Sequence, residues 1–178
     1  MTEIRFPGVS CPSTASAPGC GTVERWLASA HPSPDTARGE WNGAAKLAVI
    51  PLGRVFEAVR LPERVVHRAV ASADRDTVSD RLARCLSGAP VIHDPGFRRY
   101  YALVPPGTAQ MWCAPVAECL GEGTYLGVPR ADRTAFDEQT RASFWAVPLL
   151  RPGRLGMVVD VLALAMAGRC PSEENDES

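Results

Sequence analysis

Residues 99 to 104 are Arg99-Tyr-Tyr-Ala-Leu-Val, the longest aromatic and aliphatic run among the predicted strands. Aromatic and β-branched side chains favour pleated, buried backbone, so this run predicts a central β-strand. Three shorter apolar runs in the same half of the chain also predict strands: Pro90-Val-Ile-His, Gly123-Thr-Tyr-Leu-Gly-Val and Ser143-Phe-Trp-Ala-Val. Pro-Pro-Gly at 105–107 and Pro-Gly at 152–153 are typical of turns.

Two more strands are predicted earlier in the chain. Residues 46–51 are a brief apolar run, and residues 55–60 alternate in polarity after a Leu52-Gly-Arg turn. Both patterns are typical of strands with at least one buried face. The six predicted strands therefore fall into one group of two and one group of four.

Helical periodicity separates the two groups of strands. Apolar side chains three and four residues apart predict helices over 61–70 and 76–86, with Cys85 on the apolar face of the second. Asp74-Arg75-Asp76 or Thr77 supplies the cap of the second helix, and Gly88 ends it. A short helix over 22–30 and a buried C-terminal helix over 155–167 complete the elements.

Grouped rather than alternating strands predict an α+β fold, with one mixed β-sheet flanked by helices. A chain of 178 residues has room for one such domain. Residues 1–21, rich in Pro, Gly and Ser, predict a flexible N-terminal arm, and residues 22–170 form the domain. Residues 171–178 carry four acids and no apolar side chain, which predicts a disordered acidic tail.

The composition excludes several classes of protein. With 46% hydrophobic and 22% charged residues the chain is neither disordered nor fibrous. A net charge of −1 argues against binding nucleic acid through bulk charge alone, although without the tail 19 basic side chains face 16 acidic ones. No apolar run reaches the ~20 residues that cross a bilayer, and no secretory signal is visible. We therefore expect a cytoplasmic protein with free thiols and no membrane partner.

The cysteines and histidines offer few metal sites. Cys11, Cys20 and His31 lack both the close cysteine pair and the fourth ligand of a structural zinc site, so unrelated residues in an arm are the favoured interpretation. Cys113 and Cys119 are expected to be core thiols. We predict no cofactor, and Mg²⁺ or Mn²⁺ only if the protein is an enzyme.

One cluster of polar residues follows a predicted strand end. His93 and Asp94 precede Pro95-Gly96, and Arg98 and Arg99 come directly after Phe97. A histidine, an acid and two arginines in seven residues are typical of a phosphate or carboxylate site. The simpler interpretation, which we favour, is a polar hairpin turn built on Asp-Pro-Gly. The sequence contains no Gly-x-Ser-x-Gly, no Gly-x-x-x-x-Gly-Lys and no Gly-x-Gly-x-x-Gly motif.

A resemblance extends over residues 41 to 168. The phrases Leu52-Gly-Arg-Val-Phe-Glu-Ala-Val-Arg-Leu-Pro, Ala89-Pro-Val-Ile, Tyr101-Ala-Leu-Val-Pro-Pro-Gly-Thr-Ala, Gly123-Thr-Tyr-Leu-Gly-Val-Pro and Phe144-Trp-Ala-Val-Pro, with Trp112, resemble the bifunctional DNA primase/polymerase N-terminal (prim-pol) domain. They are similar above all to short actinobacterial proteins related to that domain. The resemblance implies an archaeo-eukaryotic primase-like fold, nucleotide or template binding and metal-dependent nucleotidyl transfer. It carries over no catalytic residue, because no predicted strand bears the family's paired acids.

Three hypotheses follow. The first is a catalytically silent prim-pol-like module that binds a nucleotide, single-stranded nucleic acid or a protein partner, with candidate ligand contacts near predicted strand ends at Arg54, Arg60, His93, Asp94, Arg98 and Arg99. The second is a protein-interaction or regulatory subunit with no nucleotide ligand. The third is an active metal-dependent nucleotidyltransferase (a DNA primase/polymerase) whose acids, such as Glu57, Asp94 and Asp160, converge in the fold. We rank them in that order.

Overall fold

The computed structural model describes residues 20 to 169, which form five α-helices and seven β-strands. The helices are α1 (Cys20–Ala28), α2 (Pro34–Asn42), α3 (Glu63–Ala69), α4 (Arg75–Cys85) and α5 (Val158–Ala167). The strands are β1 (Leu47–Pro51), β2 (Glu57–Pro62), β3 (Val91–Asp94), β4 (Arg99–Val104), β5 (Glu118–Leu120), β6 (Tyr125–Pro129) and β7 (Phe144–Val147). A short 3-10 turn, Thr108–Gln110, follows β4.

The strands pair into two antiparallel sheets. One has five strands in the order β5-β2-β4-β3-β7, and the other pairs β1 with β6. The α+β class is confirmed, but the expected single mixed sheet is replaced by two sheets in which every described pairing is antiparallel. The reason is the position of β4. It lies between β2 and β3, so the helical connection from β2 to β3 joins strands that are not neighbours.

β4 is the central strand, as its sequence predicts. Its residues pair with β2 from Arg99 opposite Pro62 to Val104 opposite Glu57. On its other side β4 pairs with β3, from Arg99 opposite Asp94 to Ala102 opposite Val91. One end of the sheet therefore carries the end of β2, the end of β3 and the start of β4. We call it the hairpin end.

Alternation along the strands gives the large sheet two apolar faces. One face, with Tyr101 and Leu103 of β4, shares a core with the small sheet, α1 and α2. Within this core the Trp41 indole Nε1–H donates to the Val128 carbonyl at 2.9 Å, which ties α2 to β6.

The opposite face packs against three helices. Tyr100, Ala102 and Val104 of β4 share a core with buried side chains of α3, α4 and α5. Gly168, directly after α5, lies so close to α3 that a Cβ atom there would stand 2.1 Å from the Val65 carbonyl oxygen. The Arg68 guanidinium donates to the Gly168 carbonyl at 3.2 Å. The end of α5 is thus fixed against α3.

Several predicted boundaries shift. α1 already begins at Cys20, so the predicted arm is too long by two residues. α2 was not expected, because the Pro-Ser-Pro stretch before it is typical of a break; Pro34 instead occupies the first turn, where a missing amide hydrogen is harmless. β5 was not predicted either, because three residues are too few to show the alternation of polarity that marks a strand.

The later helices agree better with their patterns. α4 begins after Asp74, whose carboxylate accepts the Thr77 amide at 3.0 Å. The cap therefore lies in the Asp74-Arg75-Asp76 stretch as predicted, but at its first acid rather than at Asp76 or Thr77. Cys85 is exposed rather than on the apolar face, because it lies at the very end of that helix. α5 is only partly buried, contrary to prediction: Val161 and Leu164 face the core, whereas Val159 and Met166 are exposed.

No helix of residues 20 to 169 combines the length and apolar character needed to cross a membrane. Residues 1–19 of the predicted arm and the predicted acidic tail lie outside the described residues.

Candidate functional site

Four of the six candidate residues belong to the β3–β4 hairpin. His93 and Asp94 end β3, and Arg98 and Arg99 lie in and directly after the turn. The Asp94 carboxylate accepts the Phe97 amide at 3.2 Å, so the turn chemistry is present as predicted. The antiparallel register places all four at the hairpin end of the large sheet.

The hairpin is tied to the start of α3 through one residue. The Glu63 amide donates to the Arg98 carbonyl at 2.9 Å, and the Arg98 Nε–H donates to Glu63 Oε2 at 2.8 Å. The Arg98 side chain is nevertheless 79% exposed. Its guanidinium is therefore oriented by Glu63 while remaining accessible to a ligand.

Arg60 and Arg99 lie on one face of the sheet at the same end. They line a groove of about 250 Å³ together with Pro62 and a segment that leads into β5, residues 115–118. Arg60 forms an ion pair with Glu118, its antiparallel partner on β5. The Arg99 guanidinium lies 5.8 Å from the centre of the Phe97 ring, which is 72% exposed. We call Arg60, Phe97, Arg98 and Arg99 the arginine surface.

Arg54 does not join this group. It is exposed in the connection between β1 and β2. β2 runs from Glu57 to Pro62 towards the hairpin end, and five steps of about 3.4 Å separate those two residues. Arg54 therefore lies at the opposite end of the sheet.

His93 faces the other side of the sheet from Arg60 and Arg99. Its imidazole is buried, stacked on the Tyr100 ring at 4.1 Å and touched at its edge by Phe144 at 5.4 Å between centroids. Neither ring nitrogen has a hydrogen-bond partner among the described residues, although Nε2 lies 3.4 Å from Glu63 Oε1. Burial lowers the pKa of His93 to about 4 against the opposing effect of Glu63, so the ring is neutral near pH 7.

A cavity of about 300 Å³ opens beside this histidine, between α3, the start of α4 and the sheet. We call it the histidine cavity; its lining residues are Glu63, His67, Ala73, Asp74, Arg75, His93 and Tyr100. Glu63 and His67 point the same way because they are four residues apart on α3. His93 and Tyr100 meet because they are opposite each other in the β3–β4 ladder.

Hydrogen bonding and burial set the charge states in the histidine cavity. Burial raises the pKa of Glu63, but the Arg98 hydrogen bond and nearby positive charge outweigh burial, so this pKa lies below its ordinary value. Burial raises the pKa of the Tyr100 phenol, whose hydroxyl lies 3.4 Å from His67 Nε2. The cavity therefore offers two carboxylates, Glu63 and Asp74, and the Arg75 guanidinium beside the His93 imidazole and the Tyr100 hydroxyl.

A second cavity, of about 470 Å³, lies on the other side of Arg75. The Arg75 guanidinium sits 3.7 Å above the Phe136 ring, a cation–π contact. Asp76 and Asp80 of α4 also line it, as does Phe144, whose ring touches His93. Arg75 thus lines both cavities.

The acids of the nucleotidyltransferase hypothesis do not converge. Glu57 and Asp94 lie at opposite ends of the sheet, because Glu57 pairs with Val104 and Asp94 pairs with Arg99. The Glu57 carboxylate instead accepts the amides of Gly107 and Ala109. Within residues 20 to 169 no three His, Cys, Asp or Glu side chains are placed to hold a metal ion.

The cysteine predictions have mixed outcomes. Cys113 is exposed, so it is not a core thiol, because the segment before β5 runs over the surface. Cys119 is half-buried, with its thiol 3.8 Å from Glu57 Oε2. Of the three zinc candidates, Cys11 and the Cys20 side chain lie outside what the structure describes.

Sequence reasoning missed Glu63, His67, Arg75 and Tyr100 as cavity residues. The spacing of Glu63 and His67 on a predicted helix was the one available local signal. Their proximity to His93 depends on how α3 packs against the sheet, which no local pattern contains.

Compared with known proteins, the chain matches no family model, no curated protein and no solved structure.

Proposed function

We propose that the protein is a catalytically silent binding module, and that its arginine surface binds single-stranded nucleic acid or a nucleotide. The observation that carries the proposal is the pairing of exposed Phe97 with Arg99 on the hairpin. Single-strand binding sites combine aromatic rings, on which bases stack, with cationic groups that contact phosphates. The prim-pol resemblance of the sequence implies the same class of ligand.

The ion pairs of Arg98 and Arg60 also support the proposal. Arg98 and Arg60 are each held by a carboxylate, Glu63 and Glu118 respectively, so their guanidinium groups are oriented before a ligand arrives. Orientation lowers the entropy that binding has to remove. The ion pairs also limit the net positive charge of the surface. We therefore expect weak, salt-sensitive binding of short strands.

Fluorescence anisotropy with labelled eight-nucleotide single strands tests the proposal. We expect measurable affinity at 50 mM salt that falls at 200 mM, and a loss of about tenfold in Phe97→Ala, within the range of one base–aromatic stack. Arg99→Gln should reduce the dependence of log affinity on log salt by about one. Arg54→Gln, an exposed arginine at the far end of β2, is the matched control and should bind as the wild type does. Absence of binding at 50 mM salt overturns the single-strand form of the proposal, and absence of heat with nucleoside triphosphates overturns the nucleotide form.

Catalytic silence needs its own assay. Primer extension with Mg²⁺ or Mn²⁺ is expected to give no incorporation. Incorporation that is lost in Asp94→Asn would overturn this part of the proposal. The asparagine keeps an oxygen that accepts the Phe97 amide, so the hairpin turn is preserved.

The protein-interaction alternative also has a supporting observation. Val159 and Met166 lie seven residues apart, on the same face of α5, and both are exposed, as are Leu150 and Met157 before the helix. Contiguous exposed apolar side chains mark contact surfaces. Calorimetry with nucleoside triphosphates and short single-stranded DNA separates the two functions, since no heat with either ligand leaves only protein partners.

A further inference from the structure

The histidine cavity holds polar groups that the protein itself does not use. His93 is 4% exposed and lines the cavity, and neither of its ring nitrogens has a hydrogen-bond partner among the described residues, although Nε2 lies 3.4 Å from Glu63 Oε1. A neutral imidazole carries one N–H donor and one acceptor nitrogen. Beside it, Glu63 gives Oε2 to Arg98 and leaves Oε1 without a donor of good geometry.

The charges of the cavity favour N–H donors over phosphate. Two carboxylates, Glu63 and Asp74, line it, and both have pKa values below their ordinary range. Arg75 is the cation among the lining residues, and its guanidinium stands over the Phe136 ring. His67 and the Tyr100 hydroxyl complete the polar lining. A phosphate here would face both carboxylates, whereas an amino group would meet Glu63 Oε1.

The cavity and the arginine surface are connected through hydrogen bonds. Glu63 lines the cavity and is bonded through both its amide and its carboxylate to Arg98. A strand whose phosphates contact Arg98 therefore lies beside Glu63, which forms one wall of the cavity. A volume of about 300 Å³ is at the lower end of small-molecule sites, which suits a single heterocycle.

We propose that the histidine cavity receives one unpaired base of the bound strand, and that Glu63 and His93 select a base carrying an exocyclic amino group. This inference rests on the proposed function. Glu63 Oε1 accepts from the amino group, and the His93 imidazole pairs with the adjacent ring nitrogen. Carboxylates accept from the cytosine amino group in known readout, and extruded bases are read through this same edge. Thymine lacks the amino group and is disfavoured.

Anisotropy with four eight-nucleotide strands tests the inference: dA, dC, dT and an abasic backbone. We expect dA and dC to bind about tenfold more tightly than dT, and dT to bind about tenfold more tightly than the abasic strand, which has no base to stack on Phe97. His93→Phe keeps the ring stacked on Tyr100 but removes both nitrogens. It should abolish the preference for dC over dT and leave the affinity for the abasic strand unchanged. His31→Phe, in the α1–α2 turn, is the control.

The outcomes separate the inference from the proposed function. Equal affinity for dA, dC and dT, with weaker binding of the abasic strand, overturns the base selection while the arginine surface stands. If no strand binds, the single-strand form of the proposed function fails, and titration with cytidine and uridine decides the cavity alone: cytidine binding above uridine supports base selection there, and no difference overturns it. Glu63→Gln provides a second variant should His93→Phe not fold. It retains the side-chain volume and should remove the discrimination against thymine.

Discussion

The Tyr100 phenol ring lies flat against the His93 imidazole, with the ring centroids 4.1 Å apart and the planes within 2°. The two residues are direct partners in the antiparallel β3–β4 ladder, so strand register alone brings them together. The stack covers one face of the imidazole, and the Phe144 ring packs against the imidazole in a T-shaped arrangement, with the centroids 5.4 Å apart. This enclosure keeps His93 neutral. Its two ring nitrogens therefore act as one hydrogen-bond donor and one acceptor, and the ring carries no charge.

The buried imidazole makes stability depend on pH. Its pKa is about 6.5 when unfolded and about 4 when folded, so the unfolded chain binds more protons between these values. Above pH 6.5 the imidazole is neutral in both states, so its burial does not reduce the free energy of unfolding. As the pH falls from 6.5 to about 4, the free energy of unfolding decreases by about 3 kcal/mol, because the unfolded chain takes up the proton first. Urea denaturation at pH 7, 5.5 and 4 should show a smaller loss of stability in His93→Phe than in the wild type. Identical losses would contradict this account.

Glu57 is predicted to be a structural carboxylate. It is buried and accepts the amides of Gly107 and Ala109 at 2.9 and 2.7 Å. In Glu57→Gln one oxygen becomes an NH₂ donor that faces a backbone donor, so the free energy of unfolding should fall by about 1–3 kcal/mol. Glu118→Gln, on the exposed neighbouring strand, is the control and should change it by less than about 1 kcal/mol. Equal effects of the two changes would refute the assignment.

Two glycines should respond in opposite directions to alanine. At Gly168 a Cβ would stand 2.1 Å from the Val65 carbonyl oxygen, so Gly168→Ala should destabilise by about 1–3 kcal/mol as α5 is displaced from α3. At Gly39, within α2, a Cβ meets nothing within 4 Å. Gly39→Ala should stabilise by about 0.5–1 kcal/mol through helix propensity. Thermal unfolding of both variants checks the pair, and a stable Gly168→Ala protein would show that α5 does not pack as described.

The thiols should differ in reactivity. Burial, and then the Glu57 carboxylate, raises the pKa of Cys119 to about 12, whereas Cys113 is exposed. Since the thiolate is the reactive form, iodoacetamide at pH 8 should label Cys113 at least tenfold faster than Cys119. Peptide mapping by mass spectrometry measures each site separately. Glu57→Gln should speed the labelling of Cys119, because it removes the adjacent negative charge; comparable rates in the wild type would oppose this prediction.

Local patterns predicted those parts of the fold that depend on neighbouring residues. The strand at 99–104 and helix α4 need only side-chain type and spacing. Helix α2 was not predicted, because a proline such as Pro34 is common both at breaks between elements and in the first turn of a helix. The packing of Trp41 against β6 favours the helix. β5 owes its conformation to pairing with β2 rather than to its own three residues.

The candidate site divides in the same way. The run from His93 to Arg99 contains four of the six candidates within one hairpin, so the sequence alone placed them together. In the sequence, Arg54 and Arg60 are both arginines near predicted strand ends. In the structure they lie at opposite ends of the sheet, because Arg54 precedes β2 and Arg60 lies near its end.

The α+β class and the polar turn between β3 and β4 are predictable from the sequence, because helix and strand periods and turn residues act over a few positions. The contacts of Glu63 with His93 and Arg98, and of Glu57 with amides rather than a metal, arise only when the elements pack together. Those contacts join segments some 30 to 50 residues apart. They follow from strand order and helix packing, which depend on the free energy of burying the whole core.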